Sequence, residues 1–201
     1  NTLGDRTLGL VPTMGALHAG HLSLVQRSQR ENAATVVSIF VNPTQFDQAD
    51  DLDRYPRKTE LDLALLQDAA VDVVFIPSCD EIYPDGFHYR VSESELSLRL
   101  CGAHRPGHFD GVLTVVMKLL NIVQPTRVYF GEKDYQQLLL VRGMTQAFFM
   151  DVDVVACPVV REPDGLAMSS RNQNLDAAQR RLAPFLHQVL REPKDTESAQ
   201  T

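Results

Sequence analysis

The sequence is short of three features, and each shortage argues against a class of protein. Its three cysteines, Cys79, Cys101 and Cys157, are odd in number and widely spaced, which is typical of reduced cytosolic thiols and not of a disulfide framework or a zinc site. No run of about 18 apolar residues is present, so we expect no membrane-spanning helix. Lysine and arginine number 19 against 26 aspartates and glutamates. Such an acidic balance does not favour a nucleic-acid partner, which needs clustered positive charge.

The remaining composition is that of an ordinary globular protein, with 44% hydrophobic and 22% charged residues. The first six residues show no signal-peptide pattern, although the sequence lacks an initiator Met. The reduced cysteines lead us to expect a cytoplasmic protein. The length of 201 residues supports one good core, or one domain with part of a second.

Short apolar runs rich in β-branched residues alternate with stretches of helical period. The runs predict strands at 8–12, 35–41, 71–76, 127–130 and 152–159, with a further strand near 88–91. Helices are predicted at 20–31, 61–69, 109–123, 135–150 and 176–190, the last with a capping box of Asp176 and Gln179. Residues 42–57 are predicted as a polar loop and 192–201 as a structureless tail. This order indicates an α/β fold, a Rossmann-like parallel sheet of five to six strands with helices on both faces.

Four polar clusters follow the ends of predicted strands, at 13–21, 42–46, 131–134 and 161–171. In parallel sheets, ligands bind beyond the carboxyl ends of the strands. We therefore expect the functional residues in these clusters.

The first cluster contains His18 and His21, three residues apart at a predicted helix start that can attract phosphate. Gly15 and Gly20 allow close backbone approach, and the imidazoles could donate hydrogen bonds to phosphate oxygens. The alternatives are two surface histidines beside a helix cap, or a metal site, which lacks a third local ligand. An HxGH motif after a first strand resembles the nucleotidyltransferases that act on the α-phosphate of ATP.

The clusters after the fourth and fifth predicted strands could also contact phosphate. Lys133 would supply a point charge. Gln137 admits two interpretations, as a substrate ligand or as the partner of Asp134 in a D-x-x-Q capping box. Ser169, Ser170 and Arg171 suit a mobile clamp over a triphosphate, the alternative being an ordinary solvated loop.

Seven segments taken together resemble the pantothenate synthetase family over residues 8–185. They read VPTMGALHAGH, FVNPTQF, YPR, IYPDG, RPGHFDGVLTVVMKLLNIVQP, YFGEKDYQQ and GLAMSSRN. The resemblance implies a cytoplasmic homodimer that joins pantoate to β-alanine. ATP would be converted to AMP and pyrophosphate with Mg²⁺, and pantoyl adenylate would be the intermediate.

The resemblance also implies roles for individual residues. His18, His21 and Lys133 would be catalytic, with His21 as the proton donor. ATP would be bound by Met14, Gly15, His18, Gly20, His21, Gly131, Lys133, Asp134, Val160, Met168, Ser169, Ser170 and Arg171. Pantoate and β-alanine would be bound by Asn42, Gln45 and Gln137. The Mg²⁺ ligands are not identified: Asp62 lies where an acidic residue could help, but its neighbour Leu61 cannot. The roles of Arg105 and His108 stay open.

The family pattern predicts two domains, a nucleotide- and pantoate-binding domain at 1–159 and a partial lid domain at 160–201. Family members have an extra helix before the first strand and roughly one small domain beyond MSSR, so we expect a shortened lid. Three alternatives stay open. They are another HxGH enzyme acting on phosphopantetheine or tRNA, a catalytically silent nucleotide-binding module, and a metallohydrolase built on His18 and His21.

Overall fold

A computed structural model describes residues 7–191, and its centre is a parallel sheet of five strands in the order β3-β2-β1-β4-β5. The strands are β1 (Leu8–Thr13), β2 (Ala34–Ile39), β3 (Val73–Phe75), β4 (Arg127–Gly131) and β5 (Asp153–Cys157). The α-helices are α1 (Ala19–Glu31), α2 (Ala49–Arg54), α3 (Thr59–Asp68), α4 (Cys79–Ile82), α5 (His108–Val123), α6 (Tyr135–Ala147), α7 (Ala177–Leu182) and α8 (Phe185–Arg191). Short 3-10 helices occupy Pro43–Gln45, Leu96–Leu98, Gly102–His104, Glu132–Asp134 and Ser170–Asn174. The predicted α/β fold is confirmed.

Hydrophobic packing covers both faces of the sheet. Leu10 and Val11 are neighbours on β1, both fully buried, and they enter different apolar clusters. Leu10 belongs to the cluster with α5 and α6, whereas Val11 packs in the cluster that holds Val25 of α1 and Leu66 of α3. Burial on both faces explains why these strands read as continuous apolar runs in the sequence.

The strand order positions the site. The chain winds outward from β1 to β3 on one side, then crosses through α5 to β4 and β5 on the other. The order therefore reverses between β1 and β4, where the loops at the carboxyl ends diverge and leave a crevice. The polar clusters predicted from the sequence follow these strand ends.

Several local predictions are wrong. The strand at 88–91 does not form, and the N–H of Val91 donates instead to Oγ1 of Thr114 at 2.9 Å. The predicted polar loop contains α2, and the helix predicted at 135–150 ends early, at Ala147. The helix predicted at 176–190 is divided into α7 and α8 around Pro184, which lacks an N–H for a continuous helix.

The capping box of α7 is confirmed, with the Asp176 carboxylate accepting from the Gln179 N–H at 2.8 Å. The tail predicted at 192–201 lies outside the described residues. Between residues 7 and 191, no helix combines the length and apolar character needed to cross a bilayer.

Candidate active site

A cleft of about 220 Å³ opens at the β1–β4 switch point and gathers residues from all four predicted clusters. Of the residues predicted to bind ATP or the other substrates, all except Gly15 line it. They are Met14, His18, Gly20, His21, Asn42, Gln45, Gly131, Lys133, Asp134, Gln137, Val160, Met168, Ser169, Ser170 and Arg171. Segments that are more than 100 residues apart in the sequence therefore converge on one site.

Gly15 lies behind the wall, in the turn between β1 and α1. The backbone of this turn is left-handed at Gly15 (φ 77°) and at Ala16 (φ 49°). A Cβ on Gly15 would lie 2.8 Å from Oδ2 of Asp62, so only glycine lets the turn wrap this closely around the carboxylate. Gly15 therefore allows the turn that carries the cleft residues to approach Asp62.

Asp62, on α3, holds the turn in place. Its carboxylate is 2% exposed and accepts the N–H of Ala16 and that of Leu17, each at 2.8 Å. Because both oxygens accept backbone N–H groups, Asp62 is a positioning residue for the turn, and the suggestion that it helps to hold Mg²⁺ stays a prediction. Sequence reasoning missed this role, although an aspartate at an inward-facing helix position was the available signal.

Replacing Asp62 by asparagine is expected to weaken ATP binding about tenfold, because one backbone N–H would face an amide NH₂. We also expect a loss of roughly 1–3 kcal/mol in the free energy of unfolding, the usual effect of an unsatisfied buried group. Titration calorimetry with ATP and thermal unfolding measure the two effects. Asp68→Asn, at an exposed position of the same helix, is the matched control, and equal behaviour of the two variants would contradict the role.

The two histidines form a capping box at the start of α1. His18 is the N-cap residue, and its Nδ1 accepts the Gly20 N–H at 3.1 Å. Nδ1 of His21 accepts the His18 N–H at 3.4 Å, and the ring centroids are 4.1 Å apart. Since each Nδ1 is an acceptor, each neutral ring carries its proton on Nε2. The pair caps α1, as the helix-cap alternative expected, and it also turns two N–H donors toward the cleft that both rings line.

Both imidazoles have pKa values below the ordinary value of histidine and are therefore neutral at neutral pH. Burial, reinforced by repulsion from His18 and Lys133, lowers the pKa of His21 to about 3. Burial also lowers the pKa of His18, and Lys133 adds to the effect. A neutral imidazole donates a hydrogen bond without carrying charge, so Lys133 provides the positive charge of this group.

The depressed pKa of His21 predicts a pH-dependent stability. Between about pH 6.5 and the folded pKa of about 3, the unfolded chain binds a proton that the folded chain rejects, so stability falls as the pH is lowered. Compared with His21→Gln, the wild type should lose about 1.4 kcal/mol more per pH unit below about 6. Urea unfolding of both proteins from about pH 7.5 to about pH 4.5 measures the difference. A constant difference would show that His21 titrates normally.

The capping-box interpretation of Gln137 is wrong. Asp134 ends a 3-10 helix with φ −102° and ψ 60°, and its side chain makes no capping hydrogen bond. Good N-cap residues adopt the extended conformation, which Asp134 lacks. Gln137 is half-buried and lines the cleft, so its amide is available to a ligand. Lys133 also lines the cleft, and its ion-pair contact among the described residues is with Asp134 at 3.4 Å.

The segment of residues 169–171 contacts the β1–α1 turn and α2. Ser170 is buried and donates its hydroxyl to the Ala16 carbonyl at 3.0 Å. Arg171 makes a bidentate pair with Asp51 of α2, at 3.0 and 2.8 Å, and its guanidinium lies 5.3 Å from the Tyr55 ring centroid. Two of the predicted phosphate ligands are thus engaged by protein groups.

Arg105 and His108, whose roles the sequence left open, support the backbone of Gln45. His108 Nδ1 lies 2.7 Å from the Gln45 carbonyl oxygen, and an Arg105 nitrogen donates to the same oxygen at 3.3 Å. Arg105 also contacts Nε2 of His108 at 3.1 Å, which leaves the His108 proton on Nδ1 to donate to Gln45. Burial lowers the pKa of His108 and keeps this ring neutral.

The fold and the cleft define a nucleotide-binding α/β domain of the HxGH nucleotidyltransferase class, with the histidine pair at the first strand-to-helix turn. The family model for pantoate-beta-alanine ligase matches residues 2–201. The chain belongs to the pantoate-beta-alanine ligase family.

Curated relatives and solved structures agree with this assignment. Pantothenate synthetase of Bdellovibrio bacteriovorus is 52% identical over 193 residues, covering 96% of this chain and 77% of the relative. That of Legionella pneumophila is 53% identical, covering 98% and 78%. A pantothenate synthetase crystal structure from Thermus thermophilus has 55% identity and a TM-score of 0.90, covering 94% of this chain and 69% of that one. A Francisella tularensis pantoate-beta-alanine ligase, crystallised with beta-gamma ATP and beta-alanine, has 45% identity and a TM-score of 0.91, covering 94% and 73%.

These relationships confirm the family predicted from the motifs and the predicted ligase activity. They set aside the phosphopantetheine and tRNA enzymes as alternatives. The chain spans about three quarters of the length of the first two curated relatives.

Proposed function

We propose that the cleft catalyses the ATP-dependent condensation of pantoate with β-alanine, with ATP phosphates held between the histidine pair and Lys133. The observation that carries this proposal is the convergence of His18, His21 and Lys133 with two glutamines, Gln45 and Gln137, in one cleft. Cationic and N–H donors suit a polyphosphate. Side-chain amides suit the oxygens of a small hydroxy acid.

The reaction proceeds in two displacements. A carboxylate oxygen of pantoate attacks the α-phosphorus of ATP, the bond to the bridging oxygen breaks, and pyrophosphate leaves. The amine of β-alanine then attacks the acyl carbon of pantoyl adenylate, AMP leaves with the electron pair of the acyl–oxygen bond, and the amine loses a proton. The protein's contribution is to hold the reactants in line and to stabilise charge on the departing phosphate.

His18 and His21 act in the first step as neutral donors. Their Nε2–H groups are free for the cleft because both Nδ1 atoms are occupied by backbone N–H groups. Hydrogen bonds from preorganised donors strengthen as negative charge moves onto the leaving pyrophosphate. Assignment of His21 as proton donor rests on the family resemblance; the geometry supports hydrogen-bond donation.

Residues 160–191 are proposed to act as part of a lid, continuing into the predicted lid domain at 160–201. Support comes from the contacts that Ser170 makes with Ala16 and that Arg171 makes with Asp51. Exchange of Arg171 from Asp51 to an ATP phosphate would couple nucleotide binding to movement of this segment. Closure would shield the adenylate from water.

Mg²⁺ is proposed to enter with the nucleotide. Among the described residues no group of three or more histidine, cysteine, aspartate or glutamate side chains could hold a metal ion, and both oxygens of Asp62 accept backbone N–H groups. Residues 7–191 therefore contain no preformed metal site of this kind. Mg²⁺ commonly binds through substrate phosphates and retained waters, which agrees with this arrangement.

A homodimer and a cytoplasmic location are proposed on the resemblance to the family. Analytical ultracentrifugation of the chain tests the first. A sedimentation coefficient that corresponds to one chain at micromolar concentration would contradict the dimer.

Product analysis tests the proposed reaction and separates it from a silent nucleotide-binding module. With ATP, Mg²⁺, pantoate and β-alanine, mass spectrometry should detect pantothenate and AMP in equal amounts. Omission of either pantoate or β-alanine should abolish pantothenate. ATP binding by calorimetry without any pantothenate at high enzyme concentration would favour the silent module.

A further inference from the structure

A chain of buried hydrogen bonds lies behind Gln45. Tyr83, which follows α4, donates its hydroxyl to Oδ1 of Asn42 at 2.7 Å, and Thr44 Oγ1 donates to the same oxygen at 2.9 Å. Nδ2 of Asn42 lies 3.0 Å from Oε1 of Gln45 and 3.2 Å from the carbonyl oxygen of Gly111. Asn42 is 1% exposed and Tyr83 is 6% exposed, so water does not compete for these bonds.

The Gly111 carbonyl shows which way the amides of Asn42 and Gln45 are turned. A carbonyl oxygen can only accept, so the Asn42 atom that faces Gly111 must be the amide nitrogen. That nitrogen also faces Gln45, whose nearest atom must therefore be its oxygen, Oε1. The Nε2 group of Gln45 is left on the side of the cleft. The same logic turns Oδ1 of Asn42 toward the hydroxyls of Tyr83 and Thr44.

Gly111 is glycine because α5 approaches the turn at Pro43–Gln45 very closely. A Cβ at this position would collide with the backbone of Thr44 and lie 2.7 Å from the Gln45 nitrogen. Close approach brings the Gly111 carbonyl within reach of Asn42. The Gly111 carbonyl therefore holds the Nδ2 end of the Asn42 amide, while the hydroxyls of Tyr83 and Thr44 hold the Oδ1 end.

We propose that Tyr83 and Thr44 are positioning residues that fix the Asn42 amide and thereby make Gln45 a hydrogen-bond donor to an oxygen of pantoate. This proposal rests on the proposed function, in which Gln45 contacts pantoate. Tyr83 acts through Asn42 and lies behind the cleft wall.

The Tyr83 hydroxyl keeps its proton throughout the working pH range. Burial raises the pKa of Tyr83 to about 12. The hydrogen bond that it donates to Asn42 is therefore present across any practical assay pH.

A donor at this position gives the site a chemical preference. An oxygen acceptor of the substrate, whether carboxylate or hydroxyl, satisfies Nε2 of Gln45. A group that can only donate would leave two donors facing each other, and such a mismatch strongly disfavours binding.

Steady-state kinetics of Tyr83→Phe test the positioning role. Loss of one hydroxyl behind Asn42 should raise the KM for pantoate about tenfold, the effect of one hydrogen bond, with little change in the KM for ATP. Tyr129→Phe is the matched control. Tyr129 is fully buried, and its hydroxyl lies 2.9 Å from Glu31 and 2.7 Å from Asn32. The Tyr129→Phe variant loses an equivalent buried hydroxyl at the far end of α1. The KM for pantoate of this variant should stay unchanged.

An unchanged KM for pantoate in Tyr83→Phe would overturn the proposal. A rise equal to that of Tyr129→Phe would do the same, because it would reflect general loss of packing. If Tyr83→Phe does not fold, Thr44→Val removes the other hydroxyl while preserving shape, and the same rise in KM is expected.

Gln45→Glu tests the orientation of the amide itself. Glutamate can accept from Asn42 but presents an oxygen where Gln45 presents Nε2, so the KM for pantoate should rise about 10²-fold or more. A near-normal KM would show that Gln45 is an acceptor, and the proposal would be wrong. Gln45→Ala separates failure of this proposal from failure of the proposed function. If Gln45→Ala also leaves the KM for pantoate unchanged, Gln45 does not contact pantoate, and that part of the proposed function is wrong.

Discussion

Replacing His21 by alanine is expected to lower the rate of pantoyl adenylate formation about 10²- to 10³-fold, the usual loss on removing one preorganised donor from a transition state. The Nε2–H group of His21 is free for the cleft because its Nδ1 is occupied by the His18 N–H. The donor therefore needs no reorganisation when negative charge develops on the leaving group. Rapid-quench measurement of AMP-linked intermediate with saturating ATP and pantoate gives the rate.

The capping box adds a structural effect that must be separated from the catalytic one. His21 is the N3 residue of α1, and loss of a capping interaction costs about 1 kcal/mol. His21→Gln retains an N3 acceptor for the N-cap N–H, so it should fold as stably as the wild type at neutral pH. Its adenylation rate should still be strongly reduced. Near-normal adenylation in both variants would show that the His21 imidazole has no role in this step.

Replacing Lys133 by alanine should have an effect of similar size, about 10²-fold or more on adenylation, together with weaker ATP binding. Both histidines have lowered pKa values and are neutral, and Arg171 is paired with Asp51. Lys133 is therefore a cation in the cleft that is ready to meet the phosphates. Its side chain is 38% exposed and its contact with Asp134 is long, at 3.4 Å, so stability should change little.

Two variants isolate the charge of Lys133. Lys133→Met keeps the length of the side chain and should behave like the alanine variant. Arg30→Ala removes a positive charge from an exposed position on α1 and should leave both the adenylation rate and the ATP dissociation constant unchanged. If Lys133→Met retained wild-type rates, the charge would have no role in the phosphate site.

The sheet and the location of the cleft were predictable because their signals are local. Parallel strands buried on both faces read as apolar runs, and the residues after each strand end converge at one edge. The histidine pair could be recognised because both members lie within one helical turn. Even here the sequence left two surface histidines near a helix cap as an alternative, and the structure shows that the pair both caps α1 and lines the cleft.

The supporting residues were not predictable, because their partners are distant in the chain. Asp62 meets the Ala16 N–H across 46 residues, and Tyr83 meets Asn42 across 41. The sequence around Asp62 on α3 and Tyr83 after α4 does not show which groups these side chains will contact. Packing of α3 and α5 against the loops that follow the strands creates them.

Two errors have a common physical origin. The capping box predicted for Asp134 and Gln137 matches the residue pattern, but the 3-10 turn that precedes α6 denies Asp134 the extended conformation of a cap. Residues 88–91 have the composition of a strand, but the Val91 N–H donates to Thr114. Local pattern shows what a segment could form, and tertiary contacts decide whether it does.

Activation of pantoate as an adenylate, in the same cleft and before β-alanine takes part, is the step on which the proposed function depends. Exchange of labelled pyrophosphate into ATP measures it. We expect exchange that requires pantoate, proceeds without β-alanine, and falls in His21→Gln and Lys133→Met. If the enzyme forms pantothenate but shows no pantoate-dependent exchange, the adenylate mechanism is contradicted. If exchange occurs equally with and without pantoate, the assignment of pantoate as the acceptor is contradicted.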